Sequence, residues 1–342
     1  MRFGIIGCGV IAFTHARALK ELEAEGCELY ACCDIIPEKA DQYAKEHKVP
    51  RVYYDYHELL ADRQVDIVCV CVPSGLHGQV CIDASEAGKA IVCEKPMEIT
   101  PDRIQKVISV VEKNNTKMQC IFQRRMMPAA IAVRKAVQEG RLGRICLAEA
   151  QLKYYRDQAY YDSAGWRGTW ELDGGGALMN QGVHGVDLIL WMLGDEVESV
   201  NGLVRTLGHR IPVEDTAAVL LQMKKGALCV IEGATTAYPG FSTTFGIHGE
   251  LGSIVFNDEG ILEWKFAEGA EAPARPDEGE RVGGARSAVD IGIYGHICLL
   301  RDIAGAVKED RRPMIPPEEA GLAVKVICAA YESSKKGMPV FF

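Results

Sequence analysis

The chain has 342 residues, of which 48% are hydrophobic and 25% charged, and its 38 Lys and Arg against 47 Asp and Glu give a formal net charge of −9. At roughly 150 residues per domain this length suggests two domains, and the composition is that of a globular protein rather than a disordered one. The acidic balance argues against a broad nucleic-acid surface, and the longest apolar runs, such as Ile67 to Pro73, fall far short of the roughly 20 residues that span a bilayer.

A short apolar run at Phe3 to Ile6 reads as a first strand and leaves no room for a secretory or transit peptide, so a cytoplasmic protein is expected. Residues 12–25 then have helical spacing, with Ala12, Ala16, Leu19 and Leu22 on one stripe. A strand is predicted at 29–33 and a helix at 37–47, with Pro37 in its first turn. Residues 67–72 are apolar at every position, which predicts a strand covered on both faces. A helix at 76–87, a strand at 90–93, a helix opened by Thr100-Pro101 and a strand at 117–122 complete the series. This alternation predicts a parallel, doubly wound Rossmann sheet over 1–122.

Beyond that point the pattern changes, and 123–342 reads as a second α/β domain built on a large, mostly antiparallel open-faced sheet. Helices are expected at 129–138 and 176–193. Strands are expected at 144–155, 197–206, 215–223, 227–235, 243–248, 253–256 and 261–264. Residues 267–287, rich in Gly, Glu, Ala, Pro and Arg, read as a mobile loop, and helices at about 288–309 and 317–335 close the chain.

Nine of the thirteen cysteines lie in the first 120 residues, none at CxxC spacing and several inside apolar runs. They read as small buried hydrophobes in a reducing compartment, not as zinc ligands or disulfides, and no metal is expected.

Gly7-Cys8-Gly9-Val10-Ile11-Ala12 follows the first strand and opens the first helix. Gly7 permits a tight turn, Gly9 lets backbone N–H groups approach a pyrophosphate, and Ala12 is small enough for close packing. Asp34, at the end of the second strand, would accept hydrogen bonds from ribose hydroxyls and repel a 2′-phosphate, which favours NAD over NADP. The alternative is a glycine turn with Asp34 as a helix cap. Two further loops, Pro73-Ser74-Gly75-Leu76-His77 and Glu94-Lys95-Pro96, fall at carboxyl ends of strands, where open α/β sheets bind ligands. His77 reads equally as a cofactor contact or a helix-start residue, and Lys95 alone reads as an exposed turn residue.

In the second domain Asn180, His184 and Asp187 are spaced four and three apart, so a regular helix would put them on one face. A polar triplet on an apolar helix must find partners or line a cavity. Four of the twelve tyrosines and two of the four tryptophans fall between Tyr154 and Trp170, interleaved with polar groups. Such a surface suits a sugar or a protein interface. Arg124, Arg125, Arg156 and Arg167 could bind a carboxylate or diphosphate.

Taken together, Gly7 to Ala12, Asp34, the Pro73–His77 loop, Glu94-Lys95-Pro96, the Gly174 to Asp187 segment and the ending from His296 through Arg312-Pro313 resemble the Gfo/Idh/MocA family, the glucose–fructose oxidoreductase and inositol dehydrogenase group. The resemblance spans nearly the whole chain. Its Met179-Asn-Gln-Gly-Val-His184 form looks like the branch of nucleotide-sugar and glycoside 3-dehydrogenases. It implies NAD-dependent hydride transfer at a secondary hydroxyl of a sugar, sugar derivative or cyclitol, with Lys95 and His184 as the active-site pair. It implies cofactor contacts from Gly7, Gly9, Val10, Ile11, Ala12, Asp34, Pro73, Ser74, His77, Glu94, Lys95, Trp166 and Arg167. Substrate contacts are expected from Asn180, Tyr161, Arg167, Gln123 and His296. Many members have an aspartate where this chain has Asn180, and an amide cannot stabilise an imidazolium by charge. The resemblance further implies a homodimer or homotetramer formed through the second sheet. Two other readings stay open: a redox-neutral eliminating or glycoside-cleaving enzyme with tightly held NAD, and a non-catalytic NAD-binding regulator.

Overall fold

The computed structural model describes residues 1–275 and 292–342. In chain order the first elements are β1 (Arg2–Ile6), α1 (Val10–Glu21), β2 (Glu28–Cys33), α2 (Pro37–His47), β3 (Arg51–Tyr53), α3 (Tyr56–Ala61), β4 (Ile67–Val70), α4 (His77–Glu86), β5 (Ala90–Cys93), α5 (Pro101–Lys113) and β6 (Met118–Cys120). There follow α6 (Pro128–Gln138), β7 (Ile145–Lys153), α7 (Gln158–Asp162), α8 (Val183–Leu193), β8 (Val197–Arg205), β9 (Thr216–Met223), β10 (Leu228–Ala234), β11 (Thr244–Gly249), β12 (Gly252–Asn257) and β13 (Gly260–Phe266). After the undescribed residues come α9 (Tyr294–Lys308), α10 (Pro317–Lys336) and β14 (Val340–Phe341).

Two compact units result: Met1–Gln123 with Ile293–Gly321, and Arg124–Gly292 with Leu322–Phe342. In the first, the strands form a parallel sheet of order β3-β2-β1-β4-β5-β6. All four residues of β4 are fully buried, as expected of a strand covered on both faces. The order reverses direction between β1 and β4, so the loops leaving those strands flank the crevice where such sheets bind ligands.

The second unit carries the other sheet, of order β13-β12-β11-β7-β10-β9-β8-β14, antiparallel except where β10 runs parallel to β7. Its strands alternate as a half-buried sheet must: in β9, Ala217, Val219, Leu221 and Met223 are buried while Ala218, Leu220 and Gln222 face out.

Several boundaries differ from the sequence reading. The first helix starts at Val10 and stops at Glu21, and Glu23–Glu25 is a separate 3₁₀ turn. The short β3, α3 and β14 carry too little periodic signal to be read. The segment 176–193 is not one α-helix: Ala177–Gly182 winds as a wider π-helical turn, and only Val183–Leu193 is α-helical. An apolar run encodes burial but not the number of residues per turn. The loop reading at 267–287 and the helix start at 288 fall largely outside the described residues. All thirteen cysteines are free and ten are buried. Burial pushes the Cys33 and Cys229 thiols up to about 12, which keeps them protonated and inert. Among the described residues no helix is long and apolar enough to cross a membrane.

Candidate active site

In the first unit the glycine turn has the geometry its sequence asks for. Gly7 has φ +95°, and a Cβ there would lie 2.7 Å from the Cys71 carbonyl oxygen, so no other residue fits without moving β4's exit. Gly9 precedes α1, and a Cβ there would meet nothing within 4 Å. That open face, with no acidic residue in the first turn of α1, suits an incoming anion. Ala12 is fully buried, and its carbonyl accepts a hydrogen bond from Tyr43 Oη at 2.9 Å.

The Asp34 carboxylate accepts the Cys8 N–H at 2.9 Å through Oδ2 and the Ile36 N–H at 2.9 Å through Oδ1. The residue capping α2 is Ile36, so Asp34 is not that helix's cap. Apolar side chains stand in the open beside these loops: Val10 is 55% exposed, Ile35 82% and Leu76 44%. Hydrophobic groups left exposed around a glycine turn fit the flat faces of an adenine ring.

The loops after β4 and β5 are tied together by His77, whose Nδ1 lies 2.7 Å from the Pro96 carbonyl oxygen and Nε2 2.8 Å from that of Val72. His77 is buried, so it acts on the site through these two loops. Pro73 leads into a 3₁₀ turn at Ser74–Leu76, with Ser74 buried. Lys95 is half-buried, and its peptide bond to Pro96 is cis. Its neighbour Glu94 is buried, with Oε1 2.8 Å from His15 Nε2 and 3.3 Å from His296 Nε2. Sequence reading placed His296 among the substrate contacts; in the structure its side chain is fully buried against Glu94. Gln123 packs against the start of α9, where a Cβ on Gly295 would come within 2.6 Å of the Gln123 Cβ.

In the second unit, Asn180 lies in the π-helical turn and His184 in the first turn of α8. Both are half-buried. The Asn180 side-chain amide donates to Asp173 Oδ1, and Asp173 is itself buried and accepts the Gly168 N–H at 2.8 Å. Asn180 therefore brings a carboxylate with it, one hydrogen bond removed. Gln181 donates to Asn180 Oδ1 at 2.6 Å and to Tyr160 Oη at 2.8 Å, and accepts from Arg156 Nη2 at 2.7 Å. The Arg167 guanidinium lies over the Tyr160 ring at 4.3 Å and near the Trp166 ring at 5.6 Å. Tyr161 is buried, with its hydroxyl 2.8 Å from Thr235 Oγ1.

The structure separates the four arginines. Arg124 is buried and paired with Asp258 at 2.5 Å, and Arg125 is buried and paired with Asp187 at 2.6 and 2.8 Å. Each of these guanidinium charges is already met by a buried carboxylate, Arg125 through two of its N–H groups, which fits a structural part for both arginines and for Asp187. Arg156 and Arg167 stay with the aromatic group.

Sequence reading missed Glu214. It is 2% exposed and accepts the Gly176 N–H at 2.9 Å, the Leu178 N–H at 2.8 Å and the Tyr331 hydroxyl at 2.9 Å. It thereby anchors the turn that carries Asn180. Burial pushes its carboxyl up to about 7, against the pull of those donors. A carboxyl raised in the folded state binds its proton more tightly there, so its stabilisation is full below the unfolded value and is lost as pH rises through about 7. The unfolding free energy of wild type relative to Glu214→Gln is expected to fall as pH is raised from about 5 to 8. A difference that stays flat in denaturant titrations across that range overturns the assignment.

Comparison with known proteins decides the family. Residues 1–122 match the model of the oxidoreductase family with an NAD-binding Rossmann fold, and residues 130–255 match the GFO/IDH/MocA C-terminal domain. The chain belongs to the Gfo/Idh/MocA oxidoreductases. Similar solved structures include the WlbA dehydrogenase of Chromobacterium violaceum, in complex with NADH and UDP-GlcNAcA, at 32% identity and a TM-score of 0.89 over 100% of this chain and 96% of that one. The Bordetella pertussis WlbA dehydrogenase, with the same two ligands, is 30% identical with a TM-score of 0.88, covering 100% and 98%. The inositol 2-dehydrogenase of Rhizobium meliloti is 27% identical over 273 residues, 79% of each chain. As a Gfo/Idh/MocA member the chain is an NAD-dependent dehydrogenase, of the class that works on the hydroxyl carbons of sugar-like molecules. The glycine turn, the open Gly9 face and Asp34 fit that cofactor.

Proposed function

We propose that this enzyme oxidises a secondary ring hydroxyl of a nucleotide-linked acidic sugar, with Lys95 and His184 at the reacting carbon. Residues 1–122, with the returning 293–321 of the same compact unit, carry the cofactor, and the rest of 123–342 the sugar. NAD, when bound, takes up the hydride. His184 accepts the hydroxyl proton, since an imidazole titrates near neutrality. The Lys95 ammonium stabilises the alkoxide as it develops. Asn180 orients the sugar or His184, and Asp173 behind it supplies the negative charge that the amide lacks.

The observation that carries the substrate class is the coupling of Asn180 and Gln181, one turn ahead of His184, to the Arg156–Tyr160–Arg167 group. An aromatic face suits a sugar ring, and guanidinium groups suit a carboxylate or a diphosphate. The likeness to two dehydrogenases crystallised with UDP-GlcNAcA points the same way.

A panel of a UDP-linked uronic acid, neutral UDP-sugars, free sugars and inositols, assayed with NAD and with NADP, tests this. The UDP-linked uronic acid is expected to have the highest kcat/KM, and Arg167→Ala to raise its KM more than that of neutral sugars. Preference for an inositol, or conversion of a sugar with no net NADH, overturns the reading. Asp34→Asn is expected to lower the NAD-over-NADP preference about tenfold, the equivalent of about 1.4 kcal/mol. An unchanged ratio removes Asp34 from the ribose site.

The same reading includes a homo-oligomer in a reducing cytosol. The outer face of the second sheet exposes Leu147, Leu203, Leu220 and Leu228, at 40% to 59%, more apolar surface than a solvated sheet face ordinarily carries. A strictly monomeric protein in light scattering at micromolar concentration excludes the oligomer.

A further inference from the structure

The first unit holds a buried ionisable cluster that the hydride-transfer chemistry does not use. His15 in α1 and His296 in α9 are fully buried, and Glu94, at the end of β5, is 5% exposed. Both imidazole Nε2 atoms converge on Glu94 Oε1, at 2.8 and 3.3 Å, while Glu94 Oε2 accepts the backbone N–H of Lys95 at 3.3 Å. The two rings pack edge to face with centroids 5.3 Å apart, and neither Nδ1 has a hydrogen-bond partner.

An ionised carboxylate in such a place is costly unless donors surround it. Here each imidazole supplies one Nε2–H, which leaves each Nδ1 bare. Burial holds His15 below the ordinary imidazole value. Burial alone would raise the Glu94 carboxyl, but its two histidines hold it well below the usual carboxylate range. The cluster is one carboxylate gripped by two imidazoles. It joins three stretches far apart in sequence: the helix that follows the glycine turn, the Lys95 loop, and the helix that returns after the second sheet.

We propose that His15 and His296 are positioning residues for Lys95. Through Glu94 they fix the backbone from which the Lys95 ammonium reaches the reacting carbon. A lysine stem is long and flexible, so its charge is only as well placed as its Cα, and a misplacement of about 1 Å can cost about 100-fold in rate. The three ligand atoms also lie within 4.8 Å of one another, close enough to hold a metal ion. The 2.8 Å contact between His15 Nε2 and Glu94 Oε1 is that of a hydrogen bond.

The inference rests on the assignment of Lys95 to the reaction, which turnover of Lys95→Met tests separately. His15→Leu and His296→Leu are expected to lower kcat about 10- to 100-fold with NAD affinity within about threefold. His15→Gln and His296→Gln, which keep an N–H donor near the Nε2 position, are expected to restore turnover to within about threefold of wild type. The discriminating readout is a double-mutant cycle: in the Lys95→Met background the same Leu substitutions should cost less than about twofold. Should the Leu variants fail to fold, Glu94→Gln enters the same cycle, because it keeps an acceptor for the imidazoles but removes the acceptor for the Lys95 N–H. Equal losses in both backgrounds show a merely structural cluster and overturn the proposal. So does a stoichiometric divalent metal, found by elemental analysis of the purified enzyme, whose chelation abolishes activity.

Discussion

Replacing Lys95 by Met is expected to lower turnover about 1,000-fold while NAD affinity and thermal stability stay near those of wild type. Methionine keeps an unbranched apolar stem, so the half-buried pocket around the side chain is still filled. What disappears is the ammonium, and with it the charge that the proposed mechanism sets against the developing alkoxide. Groups aimed at such charge typically contribute factors of about 100 to 1,000. His184→Ala should cost about 100- to 10,000-fold, the range of a general base. Loss of turnover in both variants, with each protein folded, is the outcome that the proposed roles of Lys95 and His184 require. Stopped-flow single-turnover assays with cofactor titration separate the terms. Wild-type turnover in Lys95→Met would falsify the assignment.

Replacing Asp187 by Ala is expected to destabilise the protein by about 3 to 5 kcal/mol. Asp187 is 3% exposed and grips Arg125 through both carboxylate oxygens, and Arg125 is 4% exposed. Removing the acid leaves a guanidinium buried without its counter-charge, the costly half of any buried pair. A double replacement, Arg125→Met with Asp187→Leu, should recover most of the loss, because neither charge is then stranded. Denaturant titration of the three variants checks this. If Asp187→Ala leaves stability within about 1 kcal/mol but stops turnover, Asp187 serves His184 rather than Arg125.

Much of the first unit was legible because its signals are local. The Gly7–Ala12 turn, the fully apolar β4 and the helix of Pro37–His47 each carry their cause within a few residues. The candidate site was legible in part. Lys95 and His184 could be named only by their family pattern, since a lysine in a turn and a histidine on an apolar helix are each unremarkable alone. His15 gave no signal beyond a titratable residue on the buried stripe of α1, and there it reads as core. Asp173 and Glu214 were silent for the same reason: their partners, Asn180 and Gly168 for one, Gly176 and Tyr331 for the other, are defined by contact.

Hydrophobic period and turn chemistry act over one or two turns of chain, so sequence alone determined the alternation of strand and helix, the nucleotide-binding turn and the change of character near residue 122. Hydrogen bonds and ion pairs act between whatever atoms packing brings within about 3 Å. Tertiary structure alone therefore decided that α9 supplies His296 to Glu94, that Asp187 answers Arg125, and that Asn180 hangs from Asp173. It also decided the π-helical turn before His184: an apolar run does not encode its winding, and the turn's start is held by the buried carboxylate of Glu214, which accepts from Gly176 and Leu178 far from it in sequence.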